Sequence, residues 1–265
     1  MARGPPAEHR TAVTDARSAL GLTHAEDWGP SSGRFSVRAG GYGRTRTGAG
    51  QVQRTGMVET MVVVERGDEL GEGFRRRITE VYVRSFAADF VAFSRDTDKL
   101  ADAFEHMLLL ERFYIALVDG EPAGLASLTE GGQTLFAPRW RQVRRHLGLV
   151  RGLLGYVVIR RWFMRPSDGA RPGLAEIGFV ATEPAYQGRG VATALLRHLL
   201  ALPGYREYVL EDIKDTNAPA LGLYAKLGFT VYKRRKVRFA RHAGFTELVS
   251  MKLVQGSTSQ PTADR

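Results

Sequence analysis

Apolar residues settle into a regular pattern at about Thr60, and from there to Val254 the period of that pattern changes several times. MVVVERG (61–67) is a β-branched run closed by a turn, which predicts a strand. Phe74, Ile78, Val81, Tyr82 and Phe86 recur at helical spacing, so a helix is expected between Gly73 and Phe90. A second helix fits 96–110, with Asp96 or Asp98 as its cap and Leu100, Phe104, Met107 and Leu108 on one face. FYIALVDGEPAGLASL (113–128) reads as strand, Asp-Gly turn, strand, hence an antiparallel hairpin. Val143, Leu147, Val150, Leu154 and Val157 are spaced alternately by four and three residues and predict a single helix face within an insertion at 137–168. After the link SDGARPG come a strand at 174–181, a helix near 189–202, a strand at 207–213, a helix at 217–227, and strands at 229–238 and 246–254. Strands and helices alternate in the middle and hairpins flank them. The expected fold class is α/β, a mixed sheet in one domain spanning residues 57–256.

Residues 1–56 do not share the pattern. They hold ten Gly and three Pro but only six residues from the set Val, Leu, Ile and Phe, too few to offset chain entropy by burial. This segment is expected to be a disordered tail, as are residues 257–265. Arg outnumbers Lys 32 to 6, and no Lys precedes residue 99, a bias that fits translated GC-rich upstream sequence and would place the natural start at Met57. A nucleic-acid-binding arm is the rival reading, weakened by the acids and the few aromatics in the segment.

The chain has 265 residues and no cysteine, which excludes a disulfide framework, a thiolate zinc site and a cysteine acyl-enzyme. Its six histidines are scattered, HExxH is absent, and no metal site is expected. The net charge of +10 is uneven: −7 over residues 57–130, +7 over 131–168 and +6 over 169–265. That polarity points to an anionic ligand, a membrane surface or nucleic acid near the basic part, with plain solvation charge as the competing reading. The N-terminus lacks the apolar stretch of a signal peptide. The most apolar window, Gly152 to Ile159, is bounded by Arg151 and Arg160, and is far short of the roughly 20 residues a bilayer span needs. The chain reads as soluble and cytoplasmic.

The chemistry concentrates in LAEIGFVATEPAYQGRGVATALLRHLL (174–200). A strand runs into Gln187-Gly188-Arg189-Gly190-Val191-Ala192, which leads directly into an amphipathic helix. Backbone N–H groups at a helix N-terminus, cleared of side chains by glycine, form an anion site suited to phosphate. Arg189 could add a charge-assisted contact. Neither the P-loop nor the dinucleotide fingerprint fits, because no Lys follows and Thr occupies position 193.

Gln187, Gly190 and Ala192 match the Q/R-x-x-G-x-G/A signature of the GNAT superfamily of acyl-CoA-dependent N-acetyltransferases. Asn217, Ala220, Tyr224, Lys226, Gly228 and Phe229 resemble a second motif of that family, in the right order and one strand further on. The resemblance covers roughly residues 60–254. It implies a mostly antiparallel central sheet flanked by helices, with the basic helical insertion between the third and fourth predicted strands. It further implies acetyl-CoA as co-substrate, with residues 187–193 (Gln187, Gly188, Arg189, Gly190, Val191, Ala192, Thr193) cradling its pyrophosphate. Val180 and Thr182 would offer backbone groups to the pantetheine arm. Asn217 would contact the cofactor, cap its own helix, or both. Glu176 is similar to the strand-four glutamate that serves as general base in one branch of the family, and an ordinary exposed strand glutamate is the competing reading. Glu183 and Asp212 are weaker rivals for that role. Tyr224 resembles the tyrosine that protonates the departing thiolate, against a reading as a packed core tyrosine.

The acceptor is a small-molecule or peptide amine that no residue pattern identifies. A non-catalytic acyl-CoA-binding sensor or interaction module is the alternative function. Three uses compete for the insertion: a lid or homodimer face, a site for an acidic substrate, or an interfacial helix on anionic lipid.

Overall fold

The computed structural model describes residues 35–38, 59–160, 171–237 and 244–256. Eight strands form one sheet: β1 (Phe35–Arg38), β2 (Glu59–Arg66), β3 (Phe113–Val118), β4 (Glu121–Glu130), β5 (Leu174–Thr182), β6 (Glu207–Lys214), β7 (Thr230–Lys236) and β8 (Glu247–Val254). Their order across the sheet is β1-β2-β3-β4-β5-β6-β8-β7. Every pairing is antiparallel except β5 with β6. The helices are α1 (Arg75–Ser85), α2 (Thr97–Phe104), α3 (Trp140–Leu147), α4 (Leu149–Val158), α5 (Val191–Leu200) and α6 (Ala218–Lys226).

Strand alternation divides the core in two. On one face, Ala175, Ile177, Tyr208 and Leu210 pack with Leu195 and Leu199 of α5 and with Leu223 and Tyr224 of α6. On the other, Ile115, Leu125 and Phe179 meet Ile78 and Tyr82 of α1, Leu100 and Phe104 of α2, and Val143 and Leu147 of α3. Tyr82 sits at the centre of this second layer, its ring 5.4–6.2 Å from those of Phe86, Phe90, Phe113, Phe136 and Phe179. Edge and tilted ring pairs of this kind add to the burial energy of the aromatics themselves.

Local chemistry explains the boundaries. Asp96 caps α2, its Oδ1 accepting from the N–H groups of Asp98 and Lys99, both at 3.1 Å. The β3–β4 turn places Asp119 and Gly120 at positive φ, the requirement of a tight hairpin.

Two expectations change. Within the N-terminal segment expected to lack order, Phe35–Arg38 pair with β2 as an antiparallel edge strand; the rest of residues 1–56 and the 257–265 tail lie outside the described residues. The single helix face expected from Val143 to Val157 is also broken. Gly148 (φ 76°, ψ −176°) ends α3 and starts α4 in a backbone conformation open only to glycine. Val143 and Leu147 are buried, whereas Val150, Leu154 and Val157 face solvent.

Candidate active site

The site begins where the two parallel strands part. β5 and β6 pair only at Leu174↔Glu207, Ala175↔Tyr208 and Glu176↔Val209. Beyond that point each strand carries a non-glycine residue in the left-handed region, Phe179 (φ 49°) in β5 and Asp212 (φ 58°) in β6. Both fall at register shifts, where a strand holds one residue more than its partner. Bulges increase local twist and re-aim the chain, and here they turn β5 and β6 away from one another. Ile177–Thr182 keep their pairing with β4 alone. Val180 and Thr182 lie in this one-sided stretch.

The glycine-rich turn sits at the open end. Gly188 (φ 77°) and Gly190 (φ 75°) take the left-handed conformation that spares a Cβ clash. Gly190 is the N-cap of α5 and supplies no side chain to the first turn. An α-helix leaves its first N–H groups without intrahelical acceptors, and the helix dipole places partial positive charge there. The helix is brought this close by Gly124 in β4. A Cβ at that position would lie 2.6 Å from the carbonyl oxygen of Ala181 and 2.8 Å from Cγ1 of Val191. Gln187, Gly188 and Arg189 are exposed, while Val191, Ala192 and Thr193 are buried as α5 enters the core. The Arg189 guanidinium lies 5.4 Å from the Tyr186 ring centroid, which holds it beside the turn. The hydroxyl oxygen of Thr182 is buried and has no hydrogen-bond partner among the described residues. A glycine-cleared helix N-terminus, an exposed arginine and an unsatisfied hydroxyl fit a phosphate-bearing acyl carrier.

Glu176 stands at the last paired register before the opening, half-buried. Its chain neighbours Ala175 and Ile177 belong to the layer beneath α5 and α6, so alternation directs Glu176 to the opposite face. Glu211, two residues beyond Val209, shares that face. One of its oxygens accepts from the hydroxyl of Tyr232 and the other from that of Ser250 at 2.7 Å. Burial and the hydrogen bond to Glu211 push the Tyr232 phenol well above its ordinary range, with the Glu176 charge acting in the same direction. A carboxylate and hydroxyl cluster from β5, β6, β7 and β8 therefore lines one side of the opening. Sequence reading missed Glu211, Tyr232 and Ser250, because strands distant in sequence supply them and no local spacing links them.

Tyr224 lies on the other face. It is 1% exposed, in the α5–α6 layer, with its ring 6.1 Å from that of Phe229. Burial pushes its phenol upward, so it holds its proton at neutral pH. Glu176 and Tyr224 are therefore separated by the sheet, and the gap between β5 and β6 is what connects their two sides. Asn217 caps α6, its Oδ1 accepting from the N–H of Ala220 at 3.2 Å. The rival carboxylates have structural partners: Glu183 receives Arg84 at 2.6 Å, and Asp212 lies 3.6 Å from Arg235.

Asp89, which no sequence pattern singled out, reaches the same region from the segment between α1 and α2. Its carboxylate is buried, 3.8 Å from Lys214 Nζ at the end of β6, and Oδ2 has no hydrogen-bond partner among the described residues. Burial, opposed by Lys214, raises this carboxyl to about 7.

A mixed sheet split between two parallel strands, with a phosphate-type turn at the mouth, defines the architecture of an acyl-transfer enzyme class. The sequence profile of the acetyltransferase (GNAT) family matches residues 76–229, more than half of the chain, and the chain belongs to that family. Among curated relatives, it is 41% identical over 88 residues to a mycothiol acetyltransferase of Brachybacterium faecium, a match covering 31% of this chain and 24% of that protein. It is 36% identical over 92 residues to the N-alpha-acetyltransferase RimI of Mycobacterium tuberculosis, covering 35% of this chain and 54% of that one. An N-acetyltransferase structure from Staphylococcus aureus Mu50 is 19% identical, with a TM-score of 0.49, covering 72% of this chain and 100% of that chain.

Proposed function

We propose that the protein transfers an acetyl group from acetyl-CoA to a primary amine by direct attack within one ternary complex. The observation that carries this reading is the glycine-cleared, uncapped start of α5 at the mouth of the β5–β6 opening. Gln187–Thr193 would hold the pyrophosphate, and backbone groups of Val180 and Thr182 would meet the pantetheine arm. When bound, acetyl-CoA supplies the activated acyl thioester. Glu176 acts as the base. An amine of pKa about 10.4 is mostly protonated at neutral pH, and freeing it costs roughly 4–5 kcal/mol; a nearby carboxylate, directly or through water, accepts the proton as the amine attacks. Tyr224 holds a proton at its phenol oxygen for the leaving group. Amides along β5 polarise the acyl carbonyl. The acceptor is a small-molecule or peptide amine, in keeping with relatives named for mycothiol and for N-alpha-acetylation.

Calorimetric titration with acetyl-CoA tests the site, using the wild-type chain beside Gly190→Glu. The variant puts a carboxylate where phosphate would sit and strains a left-handed position. Saturable binding that the variant loses by at least about a hundredfold is expected. Equal affinity in both proteins would overturn the assignment.

A further inference from the structure

Helix α4 is built with its apolar side outward. Its buried positions are Gly152 and Gly155, and Ile159 is buried just past its end. A Cβ on Gly152 would come within 3.1 Å of Arg144 Cα, and one on Gly155 would touch Phe93 and Leu147. This glycine face nests α4 against α3 and leaves the large side chains on the opposite side. At about 100° per residue, Leu149, Val150, Leu153, Leu154 and Val157 share one face, and each is between 47% and 80% exposed. They make up half of the exposed large apolar side chains among the described residues.

The surroundings of this stripe carry one sign of charge. From Gly131 to Arg160 the sequence has six arginines and no Asp or Glu. Arg141, Arg144, Arg145, Arg151 and Arg160 are exposed, and none is ion-paired among the described residues. A solvated helix face would carry its charges in place of the leucines and valines, not around them. The boundary of an anionic bilayer accepts both components: apolar side chains enter the acyl region and guanidinium groups meet lipid phosphates. A second copy of the chain would bring the same cations to a two-fold contact, where they would oppose one another. No helix among the described residues is long and apolar enough to cross a membrane, so the contact is one of lying on the surface. We propose that α3 and α4 form a docking surface for an anionic lipid membrane. The proposal does not depend on the acetyltransferase chemistry.

Co-sedimentation of the full chain with mixed phosphatidylglycerol–phosphatidylcholine vesicles, against phosphatidylcholine vesicles alone, tests it. Binding is expected to the anionic vesicles and to weaken with salt. The exposed pairs Val150→Ser with Leu153→Ser, and Arg144→Gln with Arg145→Gln, should each weaken it by about tenfold or more, with thermal unfolding unchanged. No binding to anionic vesicles at low salt would overturn the proposal, as would binding that both double variants retain. A lipid-free dimer that the Val150→Ser, Leu153→Ser pair dissolves, without vesicle binding, would assign the face to a second copy.

Discussion

Two side chains carry sharp expectations because burial sets their protonation. Tyr224 is sealed in an apolar layer, and its raised phenol stays protonated across the neutral range. Tyr224→Phe keeps the ring and removes only the proton. Turnover with an amine acceptor should fall by roughly a hundredfold or more, with acetyl-CoA affinity by calorimetry unchanged. Unaltered turnover would remove Tyr224 from the chemistry and leave it a packing residue. For Asp89, burial outweighs the attraction of Lys214 and holds the folded carboxyl at about 7 against an ordinary value of 3.8. The folded chain thus binds this proton more tightly than the unfolded chain. The stability it confers is complete below the ordinary value and is lost as pH rises through about 7. Asp89→Asn should remove this part of the decline, making the variant about 2–4 kcal/mol more stable relative to wild type at alkaline pH than at acid pH. Urea unfolding on both sides of the window measures it, and parallel pH profiles would show that Asp89 is not the group responsible. Asn217, Asp96 and the Asp119-Gly120 turn were legible from residue type alone, since capping and turn chemistry act within a few residues.

At the level of elements, periodicity reads correctly where a helix or strand has one partner face. α1, α2, the β3–β4 hairpin and the β5–α5 junction fall within their expected ranges, although α1 stops at Ser85 and α2 at Phe104, short of the predicted ends. Periodicity misleads at the insertion. Val143, Leu147, Val150, Leu154 and Val157 mark one stripe on a continuous helix, but Gly148 turns the chain and rotates the last three out of the core. What then packs inward is glycine, which no hydrophobic count registers. Gly148→Ala should cost about 1–3 kcal/mol, seen as a lower thermal midpoint. No change would mean that the α3–α4 corner tolerates a conformation closed to alanine, and hence that it rearranges. The parting of β5 and β6 is equally hidden from periodicity, because the bulges at Phe179 and Asp212 have no signature in residue type.

For the whole molecule, the sheet order puts β5 and β6 in the interior and β1 at an edge, so the candidate site is built entirely by residues beyond Met57. The uneven charge also finds a physical place. Much of the acid in the first half is paired within it, as where Arg76 meets Glu80, Asp102 and Glu105, while the arginines of the insertion stand exposed beside an apolar stripe. The sequence by itself determined the α/β class, the glycine turn that opens α5, the caps and the hairpin, since each depends on contacts within a few residues or on a motif whose order is written along the chain. Tertiary structure alone decided that Glu211, Tyr232 and Ser250 gather beside Glu176, that Asp89 is buried against Lys214, and that α4 shows its leucines to solvent. Those outcomes depend on which strand neighbours which and on the rotation of one helix at one glycine, and such long-range geometry leaves no period in the sequence from which it could be read.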